Sequence, residues 1–179
     1  MSNKTEYSNA EEVAAIAARL IELYHPHLRG ARIEYVWVSK PPVQLGRPLA
    51  GRARKVTGLN AYLSTPGCEG EPEPFFVIEI AAPIWDAWPA AKRIALVNHE
   101  LKHCGRNEET GAIYLVPHDF EDFHDIARWH GAWDEDLELL AEVLSSTDGR
   151  LTETTLAQVS YGTRRPPEEP LARIDLRRS

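Results

Sequence analysis

The chain has 179 residues, 43% of them hydrophobic and 26% charged, with a formal net charge of −7. That is enough for one buried core, expected over residues 1–145 with a C-terminal extension over 146–179, and the acidic balance excludes a protein that coats nucleic acid generally. The two cysteines, Cys68 and Cys104, are too few for a disulfide framework, and there is neither a secretory leader nor a run of about 18 apolar residues; a cytoplasmic protein with no membrane partner is expected.

The first predicted element is a helix from Ser8 to Tyr24. Ser8 or Asn9 would cap it, Glu11 and Glu12 suit its first turn, and Val13, Ile16, Ala17, Leu20, Ile21 and Tyr24 form an apolar stripe. His25-Pro26-His27 stops it, and the histidines there read as helix-end cations. Residues Arg32 to Ser39, rich in β-formers, predict a strand. After Pro41-Pro42 comes a basic, glycine-punctuated segment, Gly46 to Gly58, with Arg47, Arg52, Arg54 and Lys55 and no acid. A second strand paired with the first is expected there, followed by a short turn or helix over Leu59 to Ser64. Its charges read as a solvated hairpin face, with weak nucleic-acid contact as the functional alternative.

Thr65 to Pro74 reads as a loop. Phe75 to Ile80 (FFVIEI) is the strongest strand, apolar enough for burial on both faces, and Pro83 closes it. A helix is then expected from Pro89 through Cys104, with Gly105 as terminator and Ile94, Val97 and Leu101 facing the core. Arg106 to Val116 reads as a connection with a short hairpin around Glu109-Thr110-Gly111. Asp119 would cap a helix running from Phe120 to about Trp129. A last acidic helix, Asp134 to Leu144, would turn Leu137, Leu140 and Val143 inward.

Near the end of the long helix lies His99-Glu100-Leu101-Lys102-His103, an H-E-x-x-H pentad. Positions four apart share a helix face, so two imidazoles can converge on one metal with the glutamate beside them as general base. A catalytic zinc site needs a third protein ligand and an open position for water. Of the later histidines, His118 is favoured, because it opens the next helix after a connection long enough to fold back. His124 and Glu121 remain as alternatives, and His130 reads as a helix-end residue. Cys104 is expected to be a small buried hydrophobe. Tyr114 and Tyr161 are the hydroxyls available as further donors.

From about Ile33 to Trp133 the chain resembles the putative phage metallopeptidase family, related in layout to SprT-like proteases. The resemblance rests on Gly51-Arg52-Ala53-Arg54-Lys55-Val56, Phe75-Phe76-Val77-Ile78, Asn98-His99-Glu100-Leu101-Lys102-His103-Cys104, Pro117-His118-Asp119-Phe120-Glu121-Asp122-Phe123 and Arg128-Trp129-His130-Gly131-Ala132-Trp133. It implies an α+β, zincin-like fold with a small sheet packed on the H-E-x-x-H helix and further helices. It also implies Zn2+ held by His99, His103 and His118, Glu100 as base, and a protein or peptide substrate. By zincin analogy the Phe75 to Ile80 strand would lie near that helix, with an exposed sheet edge able to receive an extended peptide. The alternative function is a non-catalytic, zinc-stabilised binding module, a phage-encoded inhibitor of a host protein or a DNA-associated protein using Arg47, Arg52, Arg54 and Lys55.

Overall fold

The computed structural model describes residues 4–65, 67, 72–119 and 124–146. Its centre is a four-stranded mixed sheet in the order β1-β2-β6-β5, built from β1 (Tyr7–Asn9), β2 (Ile33–Val38), β6 (Phe75–Ala81) and β5 (Gly51–Val56). β2 and β6 run parallel, and the two outer pairs are antiparallel. The short strands β3 (Val43–Gln44) and β4 (Arg47–Pro48) form a separate ribbon, and α2 (Gly58–Leu63) follows β5.

β6 is interior because it is apolar on both sides. Phe76, Ile78 and Ile80 are fully buried in one core with Val13, Ile16, Ala17 and Leu20 of α1 (Glu11–Tyr24) and with Ile94, Val97 and Leu101 of α4 (Ala90–Lys102). The short α3 (Ala82–Ala87) adds Trp85, which meets Trp37 of β2 edge to face at 5.2 Å. On the opposite face of β6 the Arg32 guanidinium lies 4.1 Å from the Phe75 ring centre. Beside it, Glu79, only 5% exposed, is held by Arg52 and Arg54. The architecture is therefore α+β and zincin-like, a small sheet packed on the helix that carries the pentad. No described helix is long and apolar enough to cross a membrane.

Several boundaries differ from the sequence reading. Ser8 and Asn9 do not cap α1; they lie opposite Trp37 and Val36 in β1, where ladder pairing claims their backbone, and Ala10 precedes the helix without a side-chain cap. β5 pairs with β6 instead of β2, because β1 and β6 already occupy the two sides of β2. β5 is thus the sheet edge beside α4, while β6 packs on that helix through the shared core. The pentad helix ends at Lys102, with His103 as its cap in helical geometry. Cys104 and Gly105 leave it for β7 (Cys104–Arg106), which pairs with β8 (Ile113–Leu115) around a turn where Asn107 Oδ1 accepts from the Glu109 and Thr110 amides. Cys104 is fully buried, as a small hydrophobe should be.

α5 (His124–His130) and α6 (Glu135–Ser145) complete the described chain. Asp134 caps α6 through its Oδ1, 2.9 Å from the Leu137 amide. Val143 does not turn inward; it is 59% exposed, and α6 buries none of its residues. The expected opening of α5 over 120–123, Glu121 within it, most of the expected loop after Thr65, and the extension from 147 onward with Tyr161 fall outside the described residues.

Candidate metal centre

Two parts of the chain, α4 and the segment that follows β8, bring the site together. α4 places His99 and His103 one turn apart, with ring centres 4.9 Å from each other and planes nearly perpendicular. The segment after β8 supplies the third imidazole, His118. Val116 donates its N–H to the His103 carbonyl at 2.9 Å, and its own carbonyl accepts from His103 Nδ1 at 2.7 Å. This two-way tie fastens the chain after β8 to the helix end, and His118 follows two residues later. The three Nε2 atoms then lie 3.3 Å (His99 to His103), 3.1 Å (His103 to His118) and 3.2 Å (His99 to His118) apart.

The protonation pattern follows from those partners. A carbonyl can only accept, so the proton of neutral His103 sits on Nδ1 and its Nε2 presents a lone pair. Burial lowers the pKa of His99, and the imidazoles of His103 and His118 lower it further, so its ring is held neutral. Converging lone pairs repel unless a cation or shared protons lie among them. Nitrogens about 2.0–2.1 Å from one tetrahedral ion stand roughly 3.3–3.4 Å apart, close to the separations here, so the donor set fits a divalent metal. His99 and His118 are solvent-exposed and border a cavity of about 350 Å³ with His103, Lys102, Pro117 and Asp119, so water and a ligand can reach the nitrogens. Among the described residues no fourth side chain joins this cluster. His124 and His130, on α5, are not part of it.

Glu100, between the two histidines on the helix, turns toward β5 and is only 4% exposed. Its carboxylate lies against β5, where it accepts a hydrogen bond from the backbone of Ala53, and it abuts Gly51 so closely that a Cβ there would stand 2.6 Å from Oε1. Burial raises its pKa from the ordinary 4.5 to about 7, against the opposing pull of His103 and of the Ala53 bond. A carboxylate poised near neutrality is suited to taking up and releasing a proton. Gly51, Ala53 and Val116 were not singled out by motif reasoning. The alternation Gly-Arg-Ala-Arg carried a signal for two of them: small residues on one face of a strand leave room for something to press against it. Val116 had none, because its role lies in its backbone.

The neighbouring histidines serve the fold. His25 is not a helix-end cation: it is 5% exposed, with Nε2 2.7 Å from Asn98 Oδ1, and burial lowers its pKa below the usual 6.5. His27 Nε2 is 3.2 Å from the Cys104 carbonyl. Of the basic residues of the β4–β5 region, Arg52 and Arg54 bind Glu79, and Lys55 donates to the Ile113 carbonyl at 2.6 Å.

An α+β chain with three convergent imidazoles and a buried glutamate on one helix end defines a class, that of proteins with a site able to hold a metal ion. The particular family follows from comparison: the family model described as putative phage metallopeptidase matches residues 5–144, and the chain belongs to that family. No curated protein and no solved structure matches it.

Proposed function

We propose that this protein is a zinc-dependent peptidase in which His99, His103 and His118 hold the metal and Glu100 is the general base. The observation that carries the reading is the convergence of three Nε2 atoms within 3.1–3.3 Å, one of them fixed as a lone-pair donor by the Val116 carbonyl, beside a carboxylate whose pKa lies near neutrality. When bound, zinc would supply Lewis acidity toward the substrate carbonyl and a water acidified to near pH 7. Glu100 takes the proton of the attacking water at its carboxylate and returns it to the leaving nitrogen. Ala53 and Gly51 keep that carboxylate from wandering, since one donates to it and the other leaves it room. The substrate is an extended protein segment that adds to β5, the last strand in the order of the sheet, through main-chain hydrogen bonds.

Open access to the imidazoles favours this reading over a structural zinc, which closes its coordination with four protein ligands. The nucleic-acid alternative loses support from the pairing of Arg52 and Arg54 with Glu79.

Elemental analysis and a cleavage assay on an unfolded protein test the proposal together. About one zinc per chain is expected in the wild type and in Glu100→Gln, with cleavage lost only in the latter, and a loss of metal in His99→Ala, His103→Ala and His118→Ala. A wild type that takes up no zinc would remove the peptidase reading.

A further inference from the structure

Beside the metal centre, on the other flank of α4, runs a groove of about 560 Å³ between that helix and the end of α1. His99 and Lys102 line both this groove and the metal cavity, so the two spaces are neighbours along one helix surface. The floor comes from Ala91, Ala95, Asn98 and Lys102, which at steps of four, three and four residues share one helical face. Two alanines leave the floor low and apolar, and Tyr24 forms a wall.

Two polar groups of this face, Asn98 and Lys102, present donors to the groove. The carbonyl oxygen of Asn98 is taken by His25, which leaves its amide nitrogen as the hydrogen-bonding group of that side chain. Lys102 is exposed and forms no ion pair among the described residues, even though Asp119 lines the metal cavity with it. The charges that bear on neighbouring His25 are those of His27 and Lys102, with no carboxylate among them. A cation in the last turn of a helix answers the helix dipole. That alone does not explain a cation placed next to imidazoles arranged for a metal, where it adds repulsion unless an anion arrives with the ligand.

Resting on the peptidase reading, we infer that this groove is a specificity subsite for an acidic side chain, glutamate in particular, on a residue flanking the scissile bond, and that Lys102 is the residue that selects it. The two methylenes of a glutamate lie against Ala95, one turn from Asn98, and its carboxylate reaches the Asn98 amide and the ammonium of Lys102, whose long side chain leans back along the helix. A lysine facing a partly desolvated carboxylate supports about a tenfold preference, equivalent to about 1.4 kcal/mol.

The test uses zinc-loaded protein and matched extended peptides carrying Glu, Gln, Leu or Lys next to the scissile bond, each also made with an amidated C-terminus. Cleavage is followed as kcat/KM in the wild type, Lys102→Met and Lys102→Glu. Binding is followed by fluorescence anisotropy in Glu100→Gln, alone and combined with each Lys102 substitution. The expected result is a preference of about tenfold for Glu over Gln in both readouts, lost in Lys102→Met, turned toward Lys in Lys102→Glu, and indifferent to amidation. Equal handling of Glu and Gln peptides by the wild type, a preference that survives Lys102→Met, or one that vanishes on amidation overturns the inference while leaving the peptidase reading intact. Selective binding of Glu peptides without cleavage does the reverse.

Discussion

Glu100 sits in an environment that is costly for a carboxylate. Its carboxyl sits 4% exposed between α4 and β5, and burial outweighs both His103 and the Ala53 hydrogen bond in raising its pKa to about 7. In metal-free protein this sets a pH dependence of stability. Below pH 4.5 the carboxyl is protonated folded and unfolded, and its burial carries no charge penalty. Between 4.5 and about 7 the unfolded chain ionises while the folded chain keeps its proton, so stability falls as pH rises; above about 7 the loss is complete and on the order of 3 kcal/mol. Glu100→Gln imitates the protonated form, so metal-free Glu100→Gln should melt higher than metal-free wild type at pH 8 and at the same temperature near pH 4.5. Thermal unfolding in the presence of a chelator decides it, and coincident curves at pH 8 would contradict the assigned burial cost. Gly51 provides the complementary prediction. An alanine there needs no unusual backbone, but its Cβ would lie 2.6 Å from Oε1, so the carboxylate must move. Gly51→Ala should retain zinc and lose about a hundredfold in kcat/KM, the scale of a 1 Å misplacement of a reacting group.

At the scale of elements, the sheet carries a buried acid on the face away from the helices. Arg52 reaches Glu79 Oε2 with two nitrogens at 3.0 and 2.6 Å, whereas Arg54 makes one contact to Oε1 at 3.2 Å and is the more exposed of the two. Removing Arg52 leaves most of a buried charge without its partner. Urea unfolding should therefore give a loss of about 2 kcal/mol for Arg52→Ala and about 1 kcal/mol or less for Arg54→Ala. Equal losses would mean that the two arginines share Glu79 evenly. These residues also mark how far sequence reaches. The stripe of Val13, Ile16, Ala17 and Leu20 and the run Phe75 to Ile80 were legible because burial against one core imposes their periods directly. The pentad was legible for the same local reason, since four residues along a helix fix the relation of His99 to His103. Strand partners were not: β5 lies opposite β6 through the packing of the whole sheet, and nothing within Gly51 to Val56 distinguishes β6 from β2 as neighbour. Ser8 and Asn9 carry good capping side chains, yet the ladder with β2 takes their backbone first. The approach of His118 was open among His118, His124 and Glu121 for a similar reason, because the fastening is made by the backbone of Val116.

For the whole molecule, the candidate site links α4 to the chain beyond β8 through side chains 15 and 19 positions apart. A metal held there would bind the folded chain and not the unfolded one, so its binding free energy would add to folding. At zinc a hundredfold above Kd the gain is about 2.7 kcal/mol, which for a domain of this size raises Tm by roughly 6–10 °C. The three histidines should part company when the metal is withheld. His118 is exposed, and among the described residues its side-chain hydrogen-bond contacts are those of Nε2 with the other two imidazoles, so metal-free His118→Ala should melt close to metal-free wild type. His103 also holds the Val116 carbonyl, and His103→Ala should cost about 1 kcal/mol even without metal, because that carbonyl loses its partner. Both substitutions should abolish the zinc-dependent rise. Differential scanning calorimetry of the wild type and the two variants, each with a chelator and with zinc, reads the two effects separately. A zinc-dependent rise that persists in His118→Ala would transfer the third ligand to another residue, and one absent from the wild type would mean that the imidazoles meet for a reason other than metal.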